Sequence, residues 1–193
     1  MSVLRIDQIG ASTLERANKI LAGVPGGIWK AAHSALRRAG STAKTKAGQF
    51  AAAEYTINKG DFMRNVNEKT TISGDSGGVV TMRISYAGHV LPLLTFNTRY
   101  SRGGLLTTQV KRNGGAATLQ HAFAEKVFGP IAVFERVGSP RFPVEQKFGP
   151  STAHMMENER VTEQMDETIR ETFERRMEHE ITRVLNGWGA SSA

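Results

Sequence analysis

Ile131-Ala-Val-Phe-Glu-Arg-Val137 and Arg141-Phe-Pro-Val-Glu-Gln-Lys-Phe148 begin the stretch that decides the fold, which ends at Leu185. β-Branched and aromatic side chains are frequent in both segments, and such residues favour strands. Pro143 cannot donate to a central ladder, so we expect it at an edge or at the start of its strand. Gly149-Pro150-Ser151-Thr152 follows and predicts a break, with hydroxyl groups placed to cap a helix.

A long helix is predicted from about Asn158 to Asn186, because no proline or glycine occurs there before Gly187. Apolar residues recur at every fourth position: Val161, Met165, Ile169, Phe173, Met177, Ile181 and Leu185. An α-helix has 3.6 residues per turn, so this stripe moves about 40° round the axis at each step. We expect the stripe to be core or interface, with one end on the protein's own sheet. The other end is expected on the N-terminal helices or on another subunit, unless the helix bends around its own core.

Charge is unevenly distributed along the 193 residues. Residues 151–193 hold nine acidic and five basic side chains, a net charge of −4, so residues 1–150 carry +11 of the total of +7. Such asymmetry is typical of contact with a polyanion, or of a head-to-tail ring in which the acidic part of one subunit meets the basic part of the next. Solubility alone also explains it.

Length and composition narrow the class of protein. The length favours one domain over residues 1–193. The sequence has no cysteine, which excludes disulfides and thiolate chemistry. It also lacks an apolar run of about 18 residues and the apolar core of a secretion signal, which predicts a soluble protein made in the cytoplasm with no membrane partner.

Two helices are predicted upstream, from Ile6 to Leu21 and from Pro25 to about Ala53. Small residues dominate the inner face of the second helix, and its outer side is cationic: Lys30, Arg37, Arg38, Lys44 and Lys46. Gly40 and Gly48 each weaken the helix by up to about 1 kcal/mol, so any kink or break is expected at one of them.

In the middle of the chain, apolar and polar residues alternate as they do in β-strands. Lys69–Ser73 and Val79–Tyr86 flank a Gly-rich turn and predict a hairpin, and Val90–Phe96 continues the sheet. Residues 97–120 combine four glycines with few core-sized side chains, which predicts a long basic loop or an extended hairpin. Its cations are candidate contacts for DNA or for assembly: Arg99, Arg102, Lys111 and Arg112.

The fold class predicted from these patterns is α+β. We expect N-terminal helices over residues 1–54 and a mainly antiparallel sheet over residues 55–150, which includes the long basic Gly-rich loop. Residues 151–193 are expected to form a long C-terminal helix packed on the sheet, followed by a short tail.

Gly74-Asp75-Ser76-Gly77-Gly78 matches the nucleophile signature of chymotrypsin-like proteases, and His33 and Asp61 precede Ser76 in the order of that triad. A hairpin turn explains this motif better, since His33 falls in a basic Ala-rich helix and the chain is too short for two β-barrels. No metal-ligand spacing relates the five histidines: His33, His89, His121, His154 and His179. No nucleotide-binding glycine loop occurs either. We therefore predict no catalytic residue, metal or cofactor, and no enzyme.

Contact with DNA is compatible with the cations of the second helix and of the loop, since they can neutralise phosphates. No zinc-finger spacing, aromatic RNA-binding strand or helix-turn-helix is evident. Any DNA contact is therefore predicted to be electrostatic and independent of base sequence.

Three groups of residues resemble the minor tail protein Z, or tail completion, family of long-tailed bacteriophages. The first is an opening helix followed by Val24-Pro25 and the Ala-rich basic helix, and the second is Ile57-Asn58-Lys59-Gly60-Asp61-Phe62. The third and most specific is Val133-Phe134-Glu135-Arg136-Val137-Gly138 with Arg141-Phe-Pro-Val144, the Gly149-Pro150-Ser151 break and the long charged C-terminal helix. Together they cover most of the chain, whereas residues 74–115 match only loosely.

The resemblance implies a virion structural protein of the tail neck, acting at the head-proximal end, where it completes the tail so that it joins a filled head. The implied partners are copies of itself in a ring, expected to be sixfold, and the tail tube or tail terminator protein. Head connector proteins, the tape measure protein and the passing genomic DNA are further implied partners. Two alternatives stay open: a head-side connector or tail-terminator protein of similar size, and a sequence-nonspecific DNA-binding protein.

Overall fold

The computed structural model describes residues 2–5, 11–74, 80–126 and 129–187, and the fold of this part is α+β. Its helices are α1 (Ala11–Leu21), α2 (Gly27–Glu54), α3 (Lys59–Asn65), α4 (Thr152–Met156) and α5 (Glu159–Leu185). Its strands are β1 (Ser2–Arg5), β2 (Asn67–Gly74), β3 (Val80–Ala87), β4 (Val90–Pro92), β5 (Asn97–Tyr100), β6 (Leu106–Gln109), β7 (Ala117–Leu119), β8 (Ala122–Glu125), β9 (Ala132–Arg136), β10 (Val144–Gln146) and β11 (Phe148–Ser151). The predicted N-terminal helices, antiparallel strands and long C-terminal helix are therefore confirmed.

The strands form four small sheets. Their strand orders are β1-β3-β2, β5-β6-β7, β10-β9-β8 and β11-β4. The prediction that residues 1–54 are helical is incomplete, because β1 pairs with β3 at the N-terminus. Helix α1 (Ala11–Leu21) lies within the predicted range of Ile6 to Leu21, of which residues 6–10 are outside the described part.

The chain divides into two compact units, and each is described by itself. Unit 1 comprises residues 1–2, 48–67 and 87–161, and unit 2 comprises residues 3–47, 68–86 and 162–193. The division falls inside α2 and inside α5, so each of these two helices contributes residues to both units.

Unit 2 takes its core from helices with small or apolar inner faces and from one strand. On α2 the buried positions are mostly alanine, which permits close approach of neighbouring backbone. On β3 the side chains of Met82, Ile84 and Tyr86 are buried at alternate positions, as the period of a strand requires. Arg16 of α1 forms an ion pair with Glu178 of α5, with 2.8 Å between Nη1 and Oε1.

Helix α2 runs from Gly27 to Glu54 without interruption, so neither Gly40 nor Gly48 breaks it. Close packing explains both glycines. A Cβ on Gly40 would lie 3.3 Å from Met82 Sδ, and one on Gly48 would lie 3.1 Å from Met63 Sδ. Each glycine therefore lets a neighbouring element approach the helix.

The stripe on α5 is buried within the single chain. Val161, Met165, Ile169, Phe173, Met177 and Ile181 are each at most 4% exposed. Val161 belongs to unit 1 and the other five belong to unit 2, so the migrating stripe is buried in parts by two units. No second subunit is needed to bury these six side chains. Leu185 is 53% exposed and is not part of this core, so its expected place at an interface stays a prediction.

Unit 1 contains most of the short strands. The predicted strand from Arg141 to Phe148 is replaced by β10 and β11, with Lys147 between them. Gly149 and Pro150 do not break the chain's strand structure, because β11 pairs with β4 through a register shift at Gly149. Ser151 does cap the following helix: its Oγ accepts a hydrogen bond from the His154 amide at 3.1 Å.

Candidate functional site

Residues 97–120 form a three-stranded antiparallel sheet, in which β5 and β6 correspond to the predicted extended hairpin and β7 adds a third strand. Leu106 is fully buried, and the hydroxyls of Thr98 and Thr108 lie 2.8 Å apart across β5 and β6. Threonine and leucine at these alternating positions stabilise strands. The Gly-rich segments, which favoured a loop in the prediction, are the turns between these strands.

The four candidate cations of this sheet do not form one patch. Arg99 is exposed on β5 opposite Thr107, and Arg102 lies in the turn that joins β5 to β6. Lys111 and Arg112 follow the other end of β6. Four strand residues, or about 13 Å, therefore separate the Arg102 turn from the Lys111 end of the sheet.

Arg112 is hydrogen-bonded to the C-terminal end of α2. Its Nε donates to the carbonyl of Ala52 at 2.6 Å, and its amide donates to the carbonyl of Glu54 at 2.8 Å. Both carbonyls are in the last turn of α2, where helix carbonyls lack partners and attract a cation. Arg112 therefore stabilises the C-terminal end of α2.

All five predicted cations of α2 are exposed: Lys30, Arg37, Arg38, Lys44 and Lys46. At about 100° per residue, Lys30, Arg37 and Lys44 fall within about 40° of one another and form a line about 21 Å long. Arg38 and Lys46 lie roughly 100° and 180° away from that line, on other sides of the helix.

A groove in unit 2, called here the basic groove, has a volume of about 470 Å³. Its lining residues are His33, Arg37, Gly40, Ser41 and Lys44 of α2 with Glu68, Thr70 and Ile72 of β2. The three β2 residues alternate, so they share one face of that strand. The helix prediction identified Arg37 and Lys44, but only the packing of β2 beside α2 brings them together with Glu68 and Ile72.

Trp29 lies at one end of this arrangement. Its ring sits so close to Gly74 of β2 that a Cβ at that position would be 2.2 Å from Trp29 Cζ3. The ring also contacts the imidazole of His33, with 5.3 Å between centroids, and 42% of the residue remains exposed. Gly74 therefore permits an exposed aromatic side chain to cover the end of β2.

An acidic line runs along the outer face of α5 in unit 2. It consists of Glu163, Glu167, Glu171 and Glu174, which are all exposed and lie within about 80° of one another round the helix. None of the four forms an ion pair with any residue in the described part of the chain. By contrast, Asp166 on the same helix pairs with Arg170 at 3.0 Å.

A second concave surface lies in unit 1 at the tip of the β9–β10 hairpin. It is lined by His121, Arg136, Val137, Gly138, Ser139 and Arg141. The guanidinium of Arg136 lies 4.8 Å from the centre of the Phe123 ring, a cation–π contact. Sequence analysis did not select these arginines, although two arginines flanking a Gly-Ser-Pro turn were a visible signal.

Three ionisable groups in the described part of the chain have pKa values raised above their ordinary values. The Glu135 carboxylate accepts a hydrogen bond from Lys147 and raises the pKa of that ammonium. Burial raises the pKa of Tyr86, whose hydroxyl has no hydrogen-bond partner within the described residues. Burial also raises the pKa of Tyr55. This effect outweighs that of a hydrogen bond with Asn158, which lowers the same pKa. All three shifts follow from local packing or pairing.

The described residues contain no group of three or more histidine, aspartate or glutamate side chains placed to hold a metal ion. Residues 75–79, which carry most of the protease-like motif, lie outside the described part. None of the described helices is long and apolar enough to span a bilayer. Comparisons with protein-family models, curated proteins and solved structures find no match.

Proposed function

We propose that this protein is a virion structural protein at the head-proximal end of a bacteriophage tail. It completes the tail and enables head–tail joining as a closed ring around the DNA channel. The order of the three groups of family-like residues supports this function, and the virion neck is the corresponding location. The proposed partners are copies of the chain, the tail tube or terminator protein, the tape measure protein, head connector proteins and the passing DNA.

The observation that carries the proposal is the acidic line on α5. Four exposed carboxylates on one helix face repel one another, so they favour a neighbour that brings cations. Residues 1–150 carry a charge of +11 and supply such cations in an adjacent copy. A contact between two different surfaces of the same chain is heterologous, and it closes a ring when the rotation between copies closes.

Because the α5 stripe is buried within the chain, the proposed ring contact uses charged outer surfaces instead. Charged surface pairs are individually weak, about 0.5 kcal/mol each, so four contribute about 2 kcal/mol per interface. Such a ring should weaken as salt rises.

The assembly test compares two α5 variants by light scattering after size-exclusion chromatography, at low and high salt. Replacing Glu163, Glu167, Glu171 and Glu174 by glutamine should weaken assembly more than tenfold, as about 2 kcal/mol requires. Asp166→Asn is a single-charge control on the same helix, since that carboxylate is already paired within the helix. Equal assembly by both variants and the unmodified protein would contradict the acidic line as an interface.

The location test is imaging of purified virions with the protein labelled. A ring on the tail side of the head–tail joint is expected. A ring on the capsid side would instead support the alternative of a head-side connector, and absence from mature particles would end the proposal.

A sequence-nonspecific DNA-binding protein is a second candidate, because Lys30, Arg37 and Lys44 form an exposed cationic line. Tight binding of duplex DNA by the isolated subunit, with a steep loss of affinity as salt rises, would favour this candidate over tail completion.

The cations of residues 97–120 require a separate test of assembly and DNA passage. Replacing Arg99, Arg102 and Lys111 by serine should leave the protein folded but reduce the infectivity of the phage. Arg112→Ser is made separately, because Arg112 also stabilises the end of α2. Normal infectivity of the triple variant would count against a role for these residues.

A further inference from the structure

The basic groove lies beside an open sheet edge. β2 is an outer strand of the sheet β1-β3-β2, and no strand in the described ranges pairs with its other side. An outer strand presents unpaired N–H and C=O groups that another extended chain can pair with. β2 has eight residues, so this edge is about 27 Å long.

Helix α2 would flank any strand that added to this edge. The groove-facing side of β2 is formed by Glu68, Thr70 and Ile72, and the opposing wall is formed by α2. A strand continuing the sheet would direct every second side chain to the same face as these three residues. Those side chains would meet the groups that α2 presents to the groove.

The α2 groups cover a length similar to three same-face positions of a strand, with Arg37 and Lys44 about 10 Å apart along the helix and neighbouring same-face strand positions about 7 Å apart. His33, Arg37 and Lys44 lie along about 16 Å of helix. Three same-face positions of a strand span about 14 Å. The guanidinium of Arg37 and the ammonium of Lys44 have no ion-pair partner in the described part of the chain, and Glu68 does not pair with either.

From this arrangement we infer that the basic groove binds an extended segment of a partner protein. The segment adds to the open edge of β2 as a further strand and carries carboxylate side chains at alternate positions, which pair with Arg37 and Lys44. This inference goes beyond the proposed function and does not depend on the protein's place in a virion.

The lining of the groove favours a polypeptide over a nucleic acid. The open edge of β2 offers main-chain hydrogen bonds that another extended main chain satisfies in register. Ile72 and the exposed ring of Trp29 provide apolar contact for side chains, whereas Glu68 repels phosphates and carboxylates alike and does not distinguish the two partners. A partner strand with carboxylates near Arg37 and Lys44 and an apolar residue near Trp29 satisfies these groups together.

The test uses the full-length protein and an eight-residue peptide in which glutamate alternates with valine. Binding is followed by the fluorescence of Trp29 in a Trp188→Phe background, and by chemical-shift changes of the β2 amides. Arg37→Glu combined with Lys44→Glu should weaken binding at least about tenfold. Arg38→Glu combined with Lys46→Glu is the matched control, with the same charge change on the same helix outside the groove, and should bind almost normally.

A second peptide separates strand addition from charge attraction. It has the same sequence but is N-methylated at alternate amides on the edge that would face β2, so that it keeps its carboxylates and loses main-chain donors. Strand addition predicts loss of binding and of the β2 shifts. Equal binding of this peptide, or equal effects of the two double variants, would overturn the inference. Binding of a single-stranded oligothymidine at Arg37 and Lys44, without binding of the acidic peptide, would overturn it in favour of a nucleic acid.

Discussion

Replacing Phe173 by alanine should lower the free energy of unfolding by about 4 kcal/mol. Phe173 is 2% exposed and lies in the part of the α5 stripe that belongs to unit 2. Removing its ring takes about 150 Å² of apolar surface out of the core. At about 25 cal/mol per Å² this is close to 4 kcal/mol, within the range of about 3–5 kcal/mol typical of such truncations.

The assay is urea unfolding of the full-length protein followed by circular dichroism, together with thermal unfolding. For a chain of this length, about 4 kcal/mol corresponds to a fall in Tm of roughly 8–16 °C. Leu185→Ala is the matched control, because Leu185 continues the same four-residue spacing but is 53% exposed. It should cost less than about 1 kcal/mol.

Equal losses of stability in the two variants would refute the reasoning. That result would mean that the Phe173 ring is not buried in the isolated chain, and that the stripe awaits another subunit. A large loss of stability in Phe173→Ala but not in Leu185→Ala supports a core that is complete within one chain. Assembly would then use the charged surfaces of the protein.

Three further substitutions test single contacts by urea unfolding. Gly88→Ala should cost about 1–3 kcal/mol of unfolding free energy, because the new Cβ would lie 2.1 Å from the Thr152 hydroxyl. Gly60→Ala is the control and should not destabilise the protein, because no atom lies within 4 Å of its new Cβ. Equal effects of the two substitutions would contradict the packing at Gly88. Tyr86→Phe should leave stability unchanged or raise it by up to about 1 kcal/mol, since it removes a buried hydroxyl that lacks a partner, and a loss above 1 kcal/mol would reveal an unseen hydrogen bond. Arg112→Met should cost about 1–2 kcal/mol through the lost bond to the α2 carbonyl, and Lys111→Met, its neighbour, should cost less; the reverse order would disprove the capping role.

Much of the fold was predictable because it depends on local periodicity. The long stretch without proline or glycine predicted α5 to within one residue at each end, and Gly187 adopts the expected left-handed conformation with φ of 73°. The alternation in Val79–Tyr86 predicted β3, which the structure places at Val80–Ala87. Residues 97–120 were predicted only in part: the extended hairpin corresponds to β5 and β6, whereas β7 was not predicted.

The candidate surfaces were predicted only in part. The cationic outer side of α2 follows from helical spacing, so sequence was enough to find Arg37 and Lys44. The contact of Arg112 with α2 was not predicted, because its carbonyl partner lies 60 residues away in the chain. The basic groove was not predicted at all, since sequence spacing does not reveal which strand packs beside a helix.

The sequence by itself determined the helices, the alternating strands and the alanine face of α2, because each is set by residues a few positions apart. It also determined the opposite net charges of residues 1–150 and 151–193. The tertiary structure alone decided that Glu68, Thr70 and Ile72 face Arg37 and Lys44, and that one chain buries the migrating stripe of α5. Those outcomes depend on close approach between distant segments, which Gly40 and Gly74 permit by the absence of a side chain.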